Sequence, residues 1–223
     1  MGNVGTVPIT SYLTIGRDGV AEIEENSSRF LCALARVRDE EGARAFVEQI
    51  RKQDWNASHH CSAYIVGPDR AIEQANDAGE PPGTAGAPML AVLRGRELTD
   101  VVAVVSRWFG GKPLGTGGLA RAYAGATRAA LDEVGVAERV LQDLCEVEVD
   151  IAAVGQLEHA LRSRGARVLG VEYTSEASLR FAIPPMARGV AEEIVAELTS
   201  GTASLKVIGQ RWVDSSSGGA ATR

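Results

Sequence analysis

Residues 107–123 combine glycines, positive charges and a hydroxyl group in a pattern that can hold an anion. A strand that turns through glycines into a helix presents backbone N–H groups at the helix start, where the helix dipole favours negative charge. The candidate binding residues are the basic, glycine and hydroxyl positions, namely Arg107, Gly110, Gly111, Lys112, Gly115, Thr116, Gly117, Gly118, Arg121 and Tyr123. They predict a site for a phosphate, a carboxylate or an RNA backbone. The same glycines could instead serve only a tight turn and close helix packing.

A second glycine-rich segment, residues 77–88, carries carboxylates on a loop that Pro81 and Pro82 stiffen. Polar groups on such a loop are presented to a ligand at little cost in entropy. The candidate binding residues of this segment are Asp77, Glu80, Gly83, Thr84 and Gly86. The carboxylates could form an acid/base pair, bind Mg²⁺, or act as ion-pair partners that hold Lys112 and Arg121. We favour structural pairing and assign no catalytic residue.

Two familiar nucleotide-binding motifs do not fit residues 115–120, although the glycine spacing matches the dinucleotide pattern formally. The preceding strand is expected to end near Phe109, which is too early for a Rossmann turn, and no strand ending in an acid follows the helix. A P-loop needs a lysine directly after its last glycine, whereas Thr116 follows Gly115. The sequence therefore predicts neither nucleotide hydrolysis nor a bound cofactor.

Residues 59–61, His-His-Cys, could indicate a metal site or a nucleophile. Neighbours on a strand point to opposite faces, so only His59 and Cys61 share a side, and two ligands do not make a zinc site. A reactive Cys61 would need a base that the sequence does not place. We predict no metal site. His60 and Tyr64 are retained as candidate binding residues, Tyr64 as a possible stacking surface for RNA bases.

The charge and composition of the chain limit its function classes. The formal net charge is −6, which argues against a protein that coats nucleic acid by bulk electrostatics. Residues 94–131 nevertheless hold six basic and only two acidic side chains, so the one basic stretch coincides with the second glycine-rich segment. The three cysteines are far apart, which indicates reduced thiols, and no apolar run is long enough to span a bilayer. We expect a cytoplasmic protein with no membrane contact.

The hydrophobic pattern predicts a two-domain α+β protein. In residues 1–139, strand-like runs surround a helix capped by Asp39 that ends near Trp55. The unbroken apolar run 101–105 predicts a central strand covered on both faces, and helices are predicted over 88–93 and 118–134. Residues 136–141 are interpreted as a connector.

Residues 140–213 have a different rhythm, with predicted elements in the order β-α-β-β-α-β. About 75 residues in that order indicate a ferredoxin-like domain. Its first strand alternates apolar residues with Glu146, Glu148 and Asp150, which predicts one buried and one solvated face. Residues 214–223 are small and polar and are predicted to be a disordered tail.

Three ordered motifs in residues 60–123 resemble the IMPACT/YigZ family. They are His60-Cys61-x-Ala63-Tyr64, Asp77-x-Gly79-Glu80-Pro81-x-Gly83-Thr84-Ala85-Gly86-x-Pro88 and Arg107-Trp108-Phe109-Gly110-Gly111-x-x-Leu114-Gly115-Thr116-Gly117-Gly118-Leu119-x-Arg121-Ala122-Tyr123. The resemblance extends over about residues 26–213. Departures from the family pattern are Lys112-Pro113, where members often carry two apolar or Ile-Lys-type residues, and Trp108, which replaces a tyrosine.

The resemblance implies a first domain like the second domain of ribosomal protein S-five and a second domain like domain V of elongation factor G. It also implies a link to translation. Eukaryotic members contact the activator of an amino-acid-starvation kinase, and bacterial members are commonly proposed to bind nucleic acid or the ribosome. We therefore expect RNA, the ribosome or a translation-associated protein as the partner.

Two alternatives stay open. The same loops could hold a small phosphorylated or carboxylated ligand, as a binder or as an enzyme. The acidic second domain could instead meet a basic protein partner.

Overall fold

The computed structural model describes residues 8–215, which form two compact units. One unit is Ser11–Glu138, and the other is Arg139–Asp214 together with residues 8–10. Most of the predicted tail, residues 216–223, lies outside the described part of the chain, while Asp214 belongs to a strand. Among the described residues, no helix is long and apolar enough to cross a membrane.

The first unit is a five-stranded antiparallel sheet with helices on both faces. The elements of this unit in chain order are β1 (Ser11–Ile15), β2 (Gly19–Glu25), β3 (Ser28–Arg36), α1 (Glu40–Gln53), β4 (His59–Val66), β5 (Ile72–Asn76), α2 (Gly86–Gly95), β6 (Val101–Trp108) and α3 (Gly115–Val134). Strand β1 is not one of the five strands of this sheet. The sheet order is β2-β3-β6-β4-β5. Helix α1 covers one face of this sheet, and α2 and α3 cover the other.

Strand β6 is the centre of the sheet, as its apolar run predicts. Val102 and Val104 pack with residues of α1, whereas Val101, Ala103 and Val105 pack with residues of α2 and α3. All five side chains are fully buried. Because β6 is fixed on both faces, the residues that follow it start from a rigid base.

The helix starts show where local sequence was sufficient and where it was not. Asp39 caps α1, since its Oδ1 accepts a hydrogen bond from the Gly42 N–H at 2.7 Å, as predicted. Helices α2 and α3 begin at Gly86 and Gly115, two and three residues earlier than predicted. Glycine is a poor helix former, so local propensity gave starts that were too late, and tertiary contacts override it here.

The second unit has the predicted ferredoxin-like order. It contains β7 (Val136–Val149, which begins in the first unit), α4 (Val154–Ser163), β8 (Arg167–Tyr173), β9 (Ala177–Ile183), α5 (Arg188–Leu198) and β10 (Lys206–Asp214). Strands β10, β7, β9 and β8 lie side by side in that order, all antiparallel. The α+β two-domain fold is therefore confirmed.

The interpretation of residues 136–141 as a connector is wrong. These residues open the 14-residue strand β7. They pair with β10, whose residues lie more than 70 positions further along the chain: Leu141 with Trp212, Val140 with Val213 and Arg139 with Asp214. A partner that distant is invisible to local pattern, which is why the segment lacked a strand signature of its own.

Candidate functional site

The two glycine-rich segments meet inside the first unit. Glu80, from residues 77–88, accepts hydrogen bonds on Oε1 from Arg107 Nη1 at 2.6 Å and from the Tyr123 hydroxyl at 2.7 Å. The Arg107 and Glu80 side chains are only 7% and 3% exposed, so this is a buried ion pair. Three motif residues from a loop, a strand end and a helix therefore form one internal network.

Aromatic rings surround this network. The Arg107 guanidinium carbon lies 5.4 Å from the Phe30 ring centre and 5.6 Å from that of Phe109. The Tyr123 ring stands edge-on to Phe30, with 5.2 Å between ring centres. Burial, followed by interactions with Cys61 and Glu80, raises the pKa of Tyr123, so its hydroxyl stays protonated and donates.

This geometry changes the interpretation of two candidate residues. Arg107 was expected to contact an anionic ligand, but its guanidinium is buried and already neutralised by Glu80. Glu80 was a possible acid/base group, yet it is buried with two donors on one oxygen. A buried pair of this kind holds elements together, because removing one partner leaves the other charge uncompensated.

Asp77 organises its own loop. Its Oδ2 accepts a hydrogen bond from the Gly83 N–H at 2.7 Å, and its Oδ1 accepts from Ala85 at 3.0 Å and Gly86 at 2.8 Å. Partial burial acts to raise the pKa of Asp77, but the three hydrogen bonds together outweigh it and lower the pKa below its ordinary value. Because Gly86 is the first residue of α2, the carboxylate also accepts an N–H bond at the start of that helix.

Thr84 and Cys61 complete the interior of the site. The Thr84 hydroxyl donates to the Pro81 carbonyl at 2.7 Å, and the Cys61 thiol donates to the Asp77 carbonyl at 3.0 Å. Burial raises the pKa of Cys61 to about 12, against the smaller lowering effect of a hydrogen bond with Tyr123. A thiol with that pKa is not a nucleophile at neutral pH, so the geometry favours a structural role.

The residues after β6 form the exposed part of the site. Gly110, Gly111, Lys112, Gly115, Thr116, Gly117 and Arg121 are all solvent-exposed, and Gly118 is buried. Among the described residues, no side chain caps the start of α3, where Leu114 precedes the first helical residue. The first N–H groups of this helix are therefore available to an anion.

The exposed glycines have two different functions. A Cβ on Gly110 would lie 1.9 Å from the Ser27 carbonyl oxygen, so this glycine is required for close approach of two backbones. Gly111 and Gly115 have positive φ angles of 86° and 69°, and no heavy atom lies within 4 Å of where their Cβ atoms would be. A ligand can approach the backbone at these two positions.

Half of the basic stretch is already neutralised. Arg94 pairs with Glu73, Arg96 with Asp132, and Arg107 with Glu80. Within residues 8–215, its other three cations make no ion pair: Lys112, Arg121 and Arg128. Arg128 was not among the sequence candidates. It lies seven residues after Arg121 on the same helix, a spacing that places both on one face and that the sequence already contains.

Two candidates lie elsewhere. His60 and Tyr64 face α1, on the opposite side of the sheet from Cys61: a His60 ring nitrogen, Nε2, lies 3.1 Å from the Asp54 carbonyl, and the Tyr64 hydroxyl donates to Glu40 at 2.8 Å. The structure does not bring these two residues to the glycine-rich segments. The residue alternation of β4 separates the sets.

A magnesium site formed by Asp77 and Glu80 has no geometric support. Both carboxylates are already engaged, by backbone N–H groups and by Arg107 and Tyr123 respectively. In the part of the chain that the structure describes, no group of three His, Cys, Asp or Glu residues could hold a metal ion.

Comparison with known proteins supports the two-unit organisation. Residues 26–131 match the Impact N-terminal domain, and residues 147–202 match a domain of unknown function, DUF1949. The chain is 41% identical over 196 residues to the IMPACT family member YvyE of Bacillus subtilis strain 168, covering 88% of this chain and 90% of that protein. It is 36% identical over 168 residues to the IMPACT family member YigZ of Escherichia coli strain K12, covering 74% and 82%.

A solved structure described as a crystal structure of a hypothetical protein has a similar fold. It shares 31% sequence identity with this chain and superimposes with a TM-score of 0.63. The superposition covers 91% of this chain and 99% of that one. The similarity therefore extends over both units.

Proposed function

Because the chain belongs to the IMPACT family, we propose that it is a translation-linked binding protein of the cytoplasm that holds RNA, alone or within the ribosome, on residues 110–121. One observation carries the proposal. Lys112 and Arg121 are exposed cations that form no ion pair within residues 8–215, and they lie beside the uncapped start of α3 in a chain of net charge −6.

The physical basis is local. The start of a helix offers backbone N–H groups and about half a positive charge, and two neighbouring cations add direct contacts to phosphate. The open backbone at Gly111 and Gly115 lets a phosphate approach closely. With two or three phosphate contacts, the logarithm of the binding constant should fall with the logarithm of salt concentration with a slope of about −1.5 to −2.5.

The interior network of Glu80, Arg107 and Tyr123 holds this surface in place, and we assign it no catalytic role. Glu80, Arg107 and Tyr123 fix the base of residues 107–118 between β6 and α3. Asp77 and Thr84 are engaged in loop hydrogen bonds, and the Cys61 thiol has a pKa of about 12. We infer a binding function, with no acid, base or nucleophile assigned.

The test is a salt titration of binding to fluorescently labelled structured RNA and to purified ribosomes. Lys112→Glu and Arg121→Glu should each weaken binding by about tenfold or more and make the salt slope shallower by about one. The matched control is Lys52→Glu, an exposed lysine of α1 that undergoes the same charge change. The proposal would be overturned by an RNA affinity that does not change with salt concentration, or by a loss of affinity in Lys52→Glu equal to that in Lys112→Glu and Arg121→Glu.

A second candidate is a small phosphorylated or carboxylated ligand on the same surface. The observation that favours it is the pair of glycines with open backbone beside the helix start. A thermal-shift screen with sugar phosphates, nucleotides and small carboxylates distinguishes the two, since a ligand at 100 times its dissociation constant stabilises the protein by about 2.7 kcal/mol. A shift that Lys112→Glu abolishes would favour the small ligand.

A further inference from the structure

A groove of about 430 Å³ lies between α2 and α3 on the surface of the first unit. Five small or apolar residues and two arginines line it: Pro88, Ala91, Val92, Gly95 and the C-cap residue Arg96 from α2, with Ala124 and Arg128 from α3. Ala91 and Gly95 are exposed. Lys112 and the glycines of residues 110–118 do not line it, so the groove is distinct from the proposed RNA surface.

The two helices that form the groove run in the same direction. Pro88 and Ala124 line the groove together, and eight residues further along each helix Arg96 contacts Asp132, with 2.5 Å between Nη2 and Oδ1. Eight helical residues span about 12 Å, or about two turns. A short helix of another protein can lie along such a groove, because the small residues that line it let helix backbones approach closely.

The charge of the groove is uneven. Arg96 is neutralised by Asp132, whereas Arg128 makes no ion pair with any residue of the described chain. Arginine at the edge of an apolar contact is a frequent source of binding energy when it meets a carboxylate. The unpaired cation therefore selects an acidic partner.

The walls of the groove also determine the backbone form of its occupant. Both walls are helices, whose backbone groups are already hydrogen-bonded within each helix. An extended peptide lying there would find no backbone partner in either wall, whereas a helix satisfies its own N–H and C=O groups internally. A helical occupant is thus favoured over an extended one.

We propose that this groove is the docking site of an amphipathic helix of a partner protein, whose apolar stripe lies against Ala91, Gly95 and Ala124 and whose flanking carboxylate pairs with Arg128. The contact is small, so its affinity is in the range of transient complexes. The site adds a protein partner to the RNA surface and does not depend on it.

The experiment uses the full chain labelled with ¹⁵N and a synthetic peptide of about 15 residues, stapled on its polar face so that it is helical in water. The peptide carries Leu and Ala at helical spacing with Glu on both flanks, and a counterpart carries Lys in place of Glu. The Glu peptide should shift the amide resonances of residues 89–96 and 124–128. Arg128→Glu should weaken its binding about tenfold and restore binding of the Lys peptide.

Two further variants complete the design. Gly95→Leu places a large side chain in the groove at a position where no described atom lies within 4 Å of the added Cβ, and it should abolish binding of the Glu peptide. Lys112→Glu, which weakens RNA binding in the proposed function, should leave the peptide affinity unchanged. Thermal unfolding confirms that each variant is folded. The proposal is overturned if the Glu peptide does not bind, if its shifts map elsewhere, or if Arg128→Glu and Gly95→Leu leave its affinity intact.

Discussion

The carboxylate of Glu80 and the guanidinium of Arg107 lie 2.6 Å apart in the interior of the first unit, and this pair joins the loop of residues 77–88 to the end of β6. In the sequence, residues 77–88 and 107–123 look like two separate surface loops, but this ion pair connects them. The exposed cations after β6 are positioned by it.

The first prediction concerns this pair. Glu80→Gln should destabilise the protein by about 3 kcal/mol, because Arg107 then keeps its charge in a buried site without a counter-charge. The double variant Glu80→Gln/Arg107→Gln should recover part of that loss. Urea unfolding followed by circular dichroism measures both.

The matched control is Glu73→Gln, which breaks the more exposed pair with Arg94. Exposed ion pairs contribute little to stability, so this variant should unfold almost as the parent does. Equal losses from Glu80→Gln and Glu73→Gln would show that burial of the Glu80–Arg107 pair has no special consequence.

The second prediction concerns Asp77 and pH. Asp77→Asn should lower stability at pH 7 by about 1 kcal/mol, because an amide accepts only through its one oxygen, whereas both carboxylate oxygens of Asp77 accept loop N–H bonds, so at least one of these N–H groups loses its partner. The pKa of Asp77 is lowered by folding, so its contribution is present above the unfolded pKa of about 4 and is lost as pH falls through the folded value.

The measurement is urea unfolding of parent and variant from pH 7 to pH 2.5. The stability difference should be constant at neutral pH and shrink below about pH 4. Asp69→Asn, at an exposed turn where the carboxylate accepts one N–H bond, is the control. A difference for Asp77→Asn that persists undiminished in acid would contradict the assignment.

The third prediction concerns backbone approach at Gly110. Gly110→Ala should destabilise by more than about 2 kcal/mol, because the new methyl group would overlap the backbone of Ser27 and Ser28. Gly95→Ala is the matched control: its Cβ has open space within a helix, so it should stabilise by up to about 1 kcal/mol. Melting temperatures of the two variants should move in opposite directions.

The fourth prediction concerns the thiols. Burial raises the pKa of Cys32 and Cys61 to about 12 and that of Cys145 to about 11, and all three are buried. Labelling by iodoacetamide at pH 8 should therefore be slow in the native protein and become fast only when urea unfolds it. Rapid labelling of Cys61 in the native protein, read by mass spectrometry, would revive a reactive role for this residue.

The sequence by itself determined the order of nearly all the elements and the nature of the two domains. The apolar run at 101–105 identified the central strand, and Asp39 identified the start of α1, because both signals are carried by neighbours in sequence. The spacing of the glycines and charges also marked residues 77–88 and 107–123 as the unusual part of the chain.

Only the tertiary structure decided where the residues of those segments lie and which of them stay exposed. It placed Arg107 inside with Glu80, and His60 and Tyr64 on the other face of the sheet. Within the described part of the chain it gave no counter-charge to Lys112, Arg121 or Arg128. The physical reason is that an ion pair or a strand register joins residues tens of positions apart. Residue types and local spacing show which side chains carry charge and where glycines allow unusual backbone angles. Packing determines which of these residues remain available to a ligand.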